Sequence, residues 1–126
     1  MTDSDTPGAD EGPLRESIEL RDQIVEALLD LKGKDVKCLD VSHLTDVTDF
    51  MILVSGTSNR HVKSLGDRVA EAAKTAGQMP LGVEGTETRE WVLLDLGDVV
   101  VHVMQAQARE FYDLERLWSE FPVPGE

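Results

Sequence analysis

The sequence predicts an α/β (α+β) domain, a mixed four- to five-stranded sheet with helices packed on its faces. Two long segments carry apolar residues at helical spacing. Phe50 to Val54 is continuously apolar, as expected for a central strand covered on both faces. Two further branched runs late in the chain are separated by a connection of hairpin length. At 126 residues the chain amounts to about one domain.

A first helix is expected from Pro13 to about Lys32, where Leu14, Ile18, Ile24, Val25, Leu28 and Leu31 recur at roughly helical spacing, with Gly33 as its C′ residue. Val36 to Val41 is short and branched enough for a strand, with Cys38 in it as a small core residue. A polar turn, Ser42 to Asp46, leads to the central strand, which Gly56-Thr57-Ser58 ends. Ser58 or Thr57 can cap the next helix. There Val62, Leu65, Val69, Ala72 and Ala76 give the cleanest amphipathic pattern in the chain, and Gly77 closes it. Met79 to Val83 contains Pro80 and reads as an edge or irregular strand. Trp91 to Leu94 and Val99 to Met104 flank the tight connection Asp95-Leu96-Gly97-Asp98. By alternation, His102 shares a sheet face with Val100 and Met104. A last helix, about Gln107 to Phe121, carries Phe111, Leu114 and Trp118 on one stripe and stops at Pro122 and Pro124. Residues 1–12, with Pro7, Gly8 and Gly12, read as a disordered acidic leader, 13–121 as one domain and 122–126 as a tail.

Acids outnumber bases 25 to 12, a formal net charge of −13. That balance argues against direct nucleic-acid recognition, which depends on Lys and Arg displacing phosphate counterions. It argues equally against anionic membranes. Residues 1–30 hold −7 of the charge, 58–76 are net +2, and 84–98 and 110–126 are each net −4. One cysteine forms neither an internal disulfide nor a thiolate metal site. The N-terminus lacks a signal-peptide pattern, and the longest apolar run falls far short of the roughly 20 residues a membrane span needs. A cytoplasmic location is expected.

Three constellations bear on catalysis. Gly56-Thr57-Ser58, between strand and helix, could offer backbone N–H groups to a phosphate. No P-loop or dinucleotide fingerprint surrounds it, and a turn with a helix cap is the ordinary reading. Asp40, Asp46, Asp49, Asp95 and Asp98 sit at strand ends, but two-metal phosphoryl transfer needs carboxylates converging on one spot. The position where a nucleotidyltransferase pair would fall is Asp67, inside a helix and without a partner. His43, His61 and His102 lie in a loop, a helix and a strand without metalloprotease spacing. No catalytic residue, metal or cofactor is expected.

The aromatic residues are distributed more tellingly. Of six, Phe111, Tyr112, Trp118 and Phe121 lie near the end of the chain, and Trp91 opens a hairpin strand. Phe111 and Trp118 read first as core. Tyr112, with Glu115 and Arg116 on the turn above it, fits either a core edge or a protein-binding hot spot.

The run Asp95-Leu96-Gly97-Asp98-Val99-Val100-Val101-His102-Val103-Met104, continued by Arg109-Glu110-Phe111-Tyr112-Asp113-Leu114-Glu115-Arg116-Leu117-Trp118, resembles the signature of the ribosomal silencing factor family, also called Iojap-like or RsfS. Thr48-Asp49-Phe50-Met51-Ile52, Ser55-Gly56-Thr57-Ser58-Asn59-Arg60-His61-Val62 and Leu81-Gly82-Val83-Glu84-Gly85 agree with it. The resemblance covers about residues 15–120. It implies a nucleotidyltransferase-like topology without enzymatic activity. It also implies binding to the large ribosomal subunit through ribosomal protein L-fourteen, which blocks subunit joining and represses translation under nutrient limitation. The family's contact residues match Trp91 and Tyr112, with Asp95 and Glu115 as acidic complements and Val92 and Trp118 as neighbours. Two other uses stay open at this stage: a residual nucleotidyltransferase or phosphate-ester enzyme built on Gly56 to Ser58 with Asp95 or Asp98, and a homodimer using the same tryptophan and tyrosine.

Overall fold

The computed structural model describes residues 15–114 and 116. The elements are α1 (Arg15–Asp30), β1 (Lys34–Asp40), β2 (Phe50–Gly56), α2 (Asn59–Thr75), β3 (Gly82–Glu84), β4 (Trp91–Asp95), β5 (Val99–Gln105) and α3 (Ala106–Tyr112). That is the order the sequence predicts. The predicted leader 1–12 and tail 122–126 lie outside the described residues.

The strands form one sheet in the order β1-β2-β5-β4-β3. β2 and β5 run parallel at its centre, and the other neighbours pair antiparallel. β2 is buried along its whole length, which its unbroken apolar run requires. Alternation splits the core in two. Phe50, Ile52 and Val54 of β2, Val92 and Leu94 of β4, and Val99, Val101 and Val103 of β5 meet α1 through Leu20, Ile24 and Leu28. The same face meets α2 through Val62, Leu65, Val69 and Ala73. On the opposite face Met51 and Leu53 cluster with Val41, backed by Leu39, Leu44 and Leu114. Both long helices thus cover one face, and the other is covered only in part.

The caps of α2 follow the sequence reading. Ser58 Oγ accepts the His61 N–H at 3.1 Å. Gly77 takes φ +90°, while its N–H reaches Lys74 O at 2.9 Å and that of Gln78 reaches Ala73 O at 2.8 Å. This pair of bonds satisfies the last carbonyls of the helix. β3 is a three-residue edge strand just beyond Pro80.

Three expectations are corrected. The left-handed residue ending α1 is Lys32, at φ +61°, not Gly33. Gly33 is needed for space instead, since a Cβ there would stand 2.6 Å from Val54 Cγ2 and 3.0 Å from the Leu28 carbonyl oxygen. Cys38 is exposed rather than core, because β1 is an edge strand paired only with β2. Its thiol borders a shallow groove with Ile18, Arg21, Val25 and Phe50. Finally, α3 ends at Tyr112, where Asp113 turns left-handed at φ 52° and ψ 51°. The expected single stripe is therefore broken. Leu114 packs on the second core cluster, while Phe111 is 80% exposed instead of buried. Trp118 and Phe121 lie outside the described residues, and no described helix is long and apolar enough to cross a membrane.

Candidate interaction surface

β5 runs into α3 without a loop, and the junction is tied down on both sides. The Gln105 N–H donates to Glu90 O at 2.9 Å, and its side-chain amide donates to Arg89 O and to Asn59 Oδ1. Arg109, only 7% exposed, donates from Nη1 to Ser55 Oγ at 3.1 Å and to Lys34 O at 3.4 Å. These bonds fix the short helix over the end of the sheet, and its last turn lies over the start of β4.

Along β4 the side chains alternate. Val92 and Leu94 are 2% and 1% exposed and point toward the two long helices, while Trp91, Leu93 and Asp95 are half-buried on the opposite face. Val92, expected in the contact set, is thus core, and Leu93 occupies the position beside Trp91. Register places Trp91 opposite Met104, Leu93 opposite His102 and Asp95 opposite Val100. On the outer side Glu84 of β3 stands opposite Leu93. Directly opposed residues share a face, so Glu84 and Asp95 flank an apolar strip.

Tyr112 completes the strip. Its ring centroid lies 4.6 Å from that of Trp91, and Phe111 meets Tyr112 edge-on at 5.0 Å. The first pair is tilted by 46°, and the edge-to-face contact of the second is a favoured aromatic geometry. Tyr112 is 51% and Phe111 80% exposed. Burying a phenylalanine side chain is worth about 1.5–3 kcal/mol, so a fold that leaves Phe111 outside forgoes that stabilisation. Adjoining exposed aromatics with a polar rim are a composition common in protein-binding surfaces. Glu115 and Trp118, also expected in the contact set, lie outside the described residues.

Beneath the strip, the Trp91 indole N–H donates to His102 Nδ1 at 2.9 Å. An indole nitrogen only donates, so Nδ1 accepts and a neutral ring carries its proton on Nε2. Burial pushes the imidazole from its usual 6.5 down to about 4, consistent with that neutral form.

The phosphate-like turn is committed elsewhere. The Thr57 N–H donates to His61 Nδ1 at 2.9 Å, and His61 Nε2 then donates to Leu31 O at 2.8 Å, bridging the end of α1 to the start of α2. Asp40 caps the Ser42 N–H at 3.0 Å, Asp95 accepts from the Gly97 N–H at 2.9 Å, and Asp49 accepts from Ser17 Oγ at 3.0 Å. These aspartates are spread over separate turns, and no cluster able to hold a metal occurs among the described residues. Leu93, Arg109 and the acceptor role of His102 escape the sequence reading. Only Leu93 had a local signal, its position two residues from both Trp91 and Asp95.

Comparison with known proteins adds to this geometry. The family model described as ribosomal silencing factor during starvation matches residues 14–125. The ribosomal silencing factor of Chromobacterium violaceum is 50% identical over 101 residues, 80% of this chain and 83% of that protein. A crystal structure of a protein from the same organism matches with a TM-score of 0.79 at 45% identity, covering 86% of this chain and 92% of that one. The mouse protein named mitochondrial assembly of ribosomal large subunit protein 1 is 29% identical over 101 residues, 78% of this chain and 44% of its own length. With its sequence matched nearly end to end and its fold shared, the chain belongs to the ribosomal silencing factor family.

Proposed function

We propose that this chain is a non-enzymatic anti-association factor of the cytoplasm. It binds the large ribosomal subunit through ribosomal protein L-fourteen, keeps the small subunit from joining, and so lowers translation when nutrients are scarce. The observation that carries this reading is the strip in which half-buried Trp91 and Leu93 adjoin exposed Tyr112 and Phe111, between Glu84 and Asp95. An apolar centre with acidic edges suits a basic protein surface, whereas the chain's −13 charge is repelled by the RNA around it. The silencing name of the bacterial relative and the large-subunit name of the mouse relative support the choice of partner. The engagement of the Thr57 N–H by His61 supports a non-catalytic role, because it occupies a donor that a phosphate would need.

Gradient sedimentation of ribosomal subunits, with and without the protein and at two salt concentrations, tests the proposal. The protein should travel with free large subunits and reduce joining, and its affinity should fall as salt screens the acidic edges. A folded Trp91→Ala/Tyr112→Ala variant should lose both effects. Normal co-sedimentation of that variant would overturn the surface assignment.

A further inference from the structure

We propose that His102 is a positioning residue for this surface: its Nδ1 holds the Trp91 indole in the one orientation that supports Tyr112, and through it Phe111. The proposal rests on reading this face as the ribosomal contact surface. His102 does not itself reach the partner, being 8% exposed beneath the strip.

The argument begins with what position 102 would otherwise prefer. It lies in a strand of valines, between Leu53 on β2 and Leu93 on β4, where an aliphatic side chain would pack without desolvating a ring nitrogen. An imidazole here costs free energy unless its polar atoms are used, and one of them is: Nδ1 accepts the indole N–H at 2.9 Å. The tilted rings sit 5.8 Å apart, so the imidazole also fills space under the indole. β5 lies inside the sheet, bonded on both sides, and gives the acceptor a rigid mount. Remove the acceptor and a part-buried indole N–H loses its partner. The indole then gains by turning toward water, and Tyr112 loses the ring on which it rests at 4.6 Å.

The test uses the full chain with two substitutions. His102→Leu removes the acceptor, and His102→Asn keeps one, because its amide oxygen stands where Nδ1 stood. The sequence holds two tryptophans, so the indole N–H region of a proton–nitrogen NMR spectrum shows two signals, assigned with Trp118→Phe. His102→Leu should shift the Trp91 indole signal, speed its exchange with solvent, and weaken binding to isolated large subunits by about tenfold. His102→Asn should restore all three. If His102→Leu does not fold, His102→Val, a stronger strand former, takes its place.

A variant that loses the indole bond yet binds like the parent would overturn the proposal, as would an unshifted indole signal. If the Trp91→Ala/Tyr112→Ala variant still binds normally, the surface reading fails instead. Positioning is then decided by the indole signal and by whether the Tyr112 ring resonances change with it; unchanged Tyr112 resonances would overturn it.

Discussion

Burial of His102 ties the stability of the fold to pH, and the size of the effect follows from its titration. In the fold the ring titrates near 4 because burial penalises its charged form, against 6.5 in an unfolded chain. Between those values the unfolded chain binds more protons, so acid favours unfolding. Above about pH 7.5 His102 contributes almost no penalty. The linkage relation gives a loss of about 0.8 kcal/mol by pH 6, about 2 kcal/mol by pH 5 and about 3 kcal/mol by pH 4. The chain also carries 25 acidic side chains, so the measurement is a difference. Urea denaturation of the wild type and of His102→Asn at pH 8, 6 and 5, at constant ionic strength, cancels the titrations the two proteins share. His102→Asn keeps an acceptor for Trp91 but has nothing to protonate. Relative to this variant, the wild type should lose about 2 kcal/mol between pH 8 and pH 5. Parallel curves, with the gap constant to within about 0.3 kcal/mol, would refute a buried neutral imidazole at this position.

Two other consequences are open to direct measurement. Gly85 takes φ +87°, and a Cβ there would stand 2.0 Å from the Trp91 carbonyl oxygen. Gly85→Ala should therefore destabilise by more than about 1 kcal/mol and shift the Trp91 indole signal; an unchanged urea midpoint and spectrum would count against this reading. Cys38 should react with a maleimide in the folded protein at neutral pH. Its labelling should be slower than that of a free thiol, because desolvation, opposed by Arg21 and reinforced more weakly by Asp22 and Asp40, raises its pKa. Labelling only upon unfolding would restore the core assignment.

The order of elements was readable because it rests on periodicity. The steps of α2, the apolar run of β2 and the turn before β5 are all local signals, and each survives in the structure. Burial of β1 was not readable. Branched residues mark a strand, but edge or centre is decided by neighbours distant in sequence, and Cys38 lies on an edge. Val92 is a different kind of error. Trp91 and Asp95 are four residues apart in one strand and must share a face, which leaves Leu93 with them and sends Val92 to the core. The hydrogen bond from Trp91 to His102 depends on the register of β4 on β5, which no local pattern carries.

Phe111 shows why the proposed contact surface was the hardest part to read. Spacing alone places Phe111 and Leu114 on one helical stripe, and a continuous helix would send both into the core. Asp113 prevents it by adopting a left-handed conformation, which aspartate tolerates better than branched or bulky residues. Leu114 then packs beneath the sheet and Phe111 stays outside beside Tyr112. One backbone residue thus separates the two ends of the stripe that spacing alone would join. The rule of periodicity fails where the fold gives up stabilisation to leave an aromatic outside, which agrees with the contact surface proposed for it.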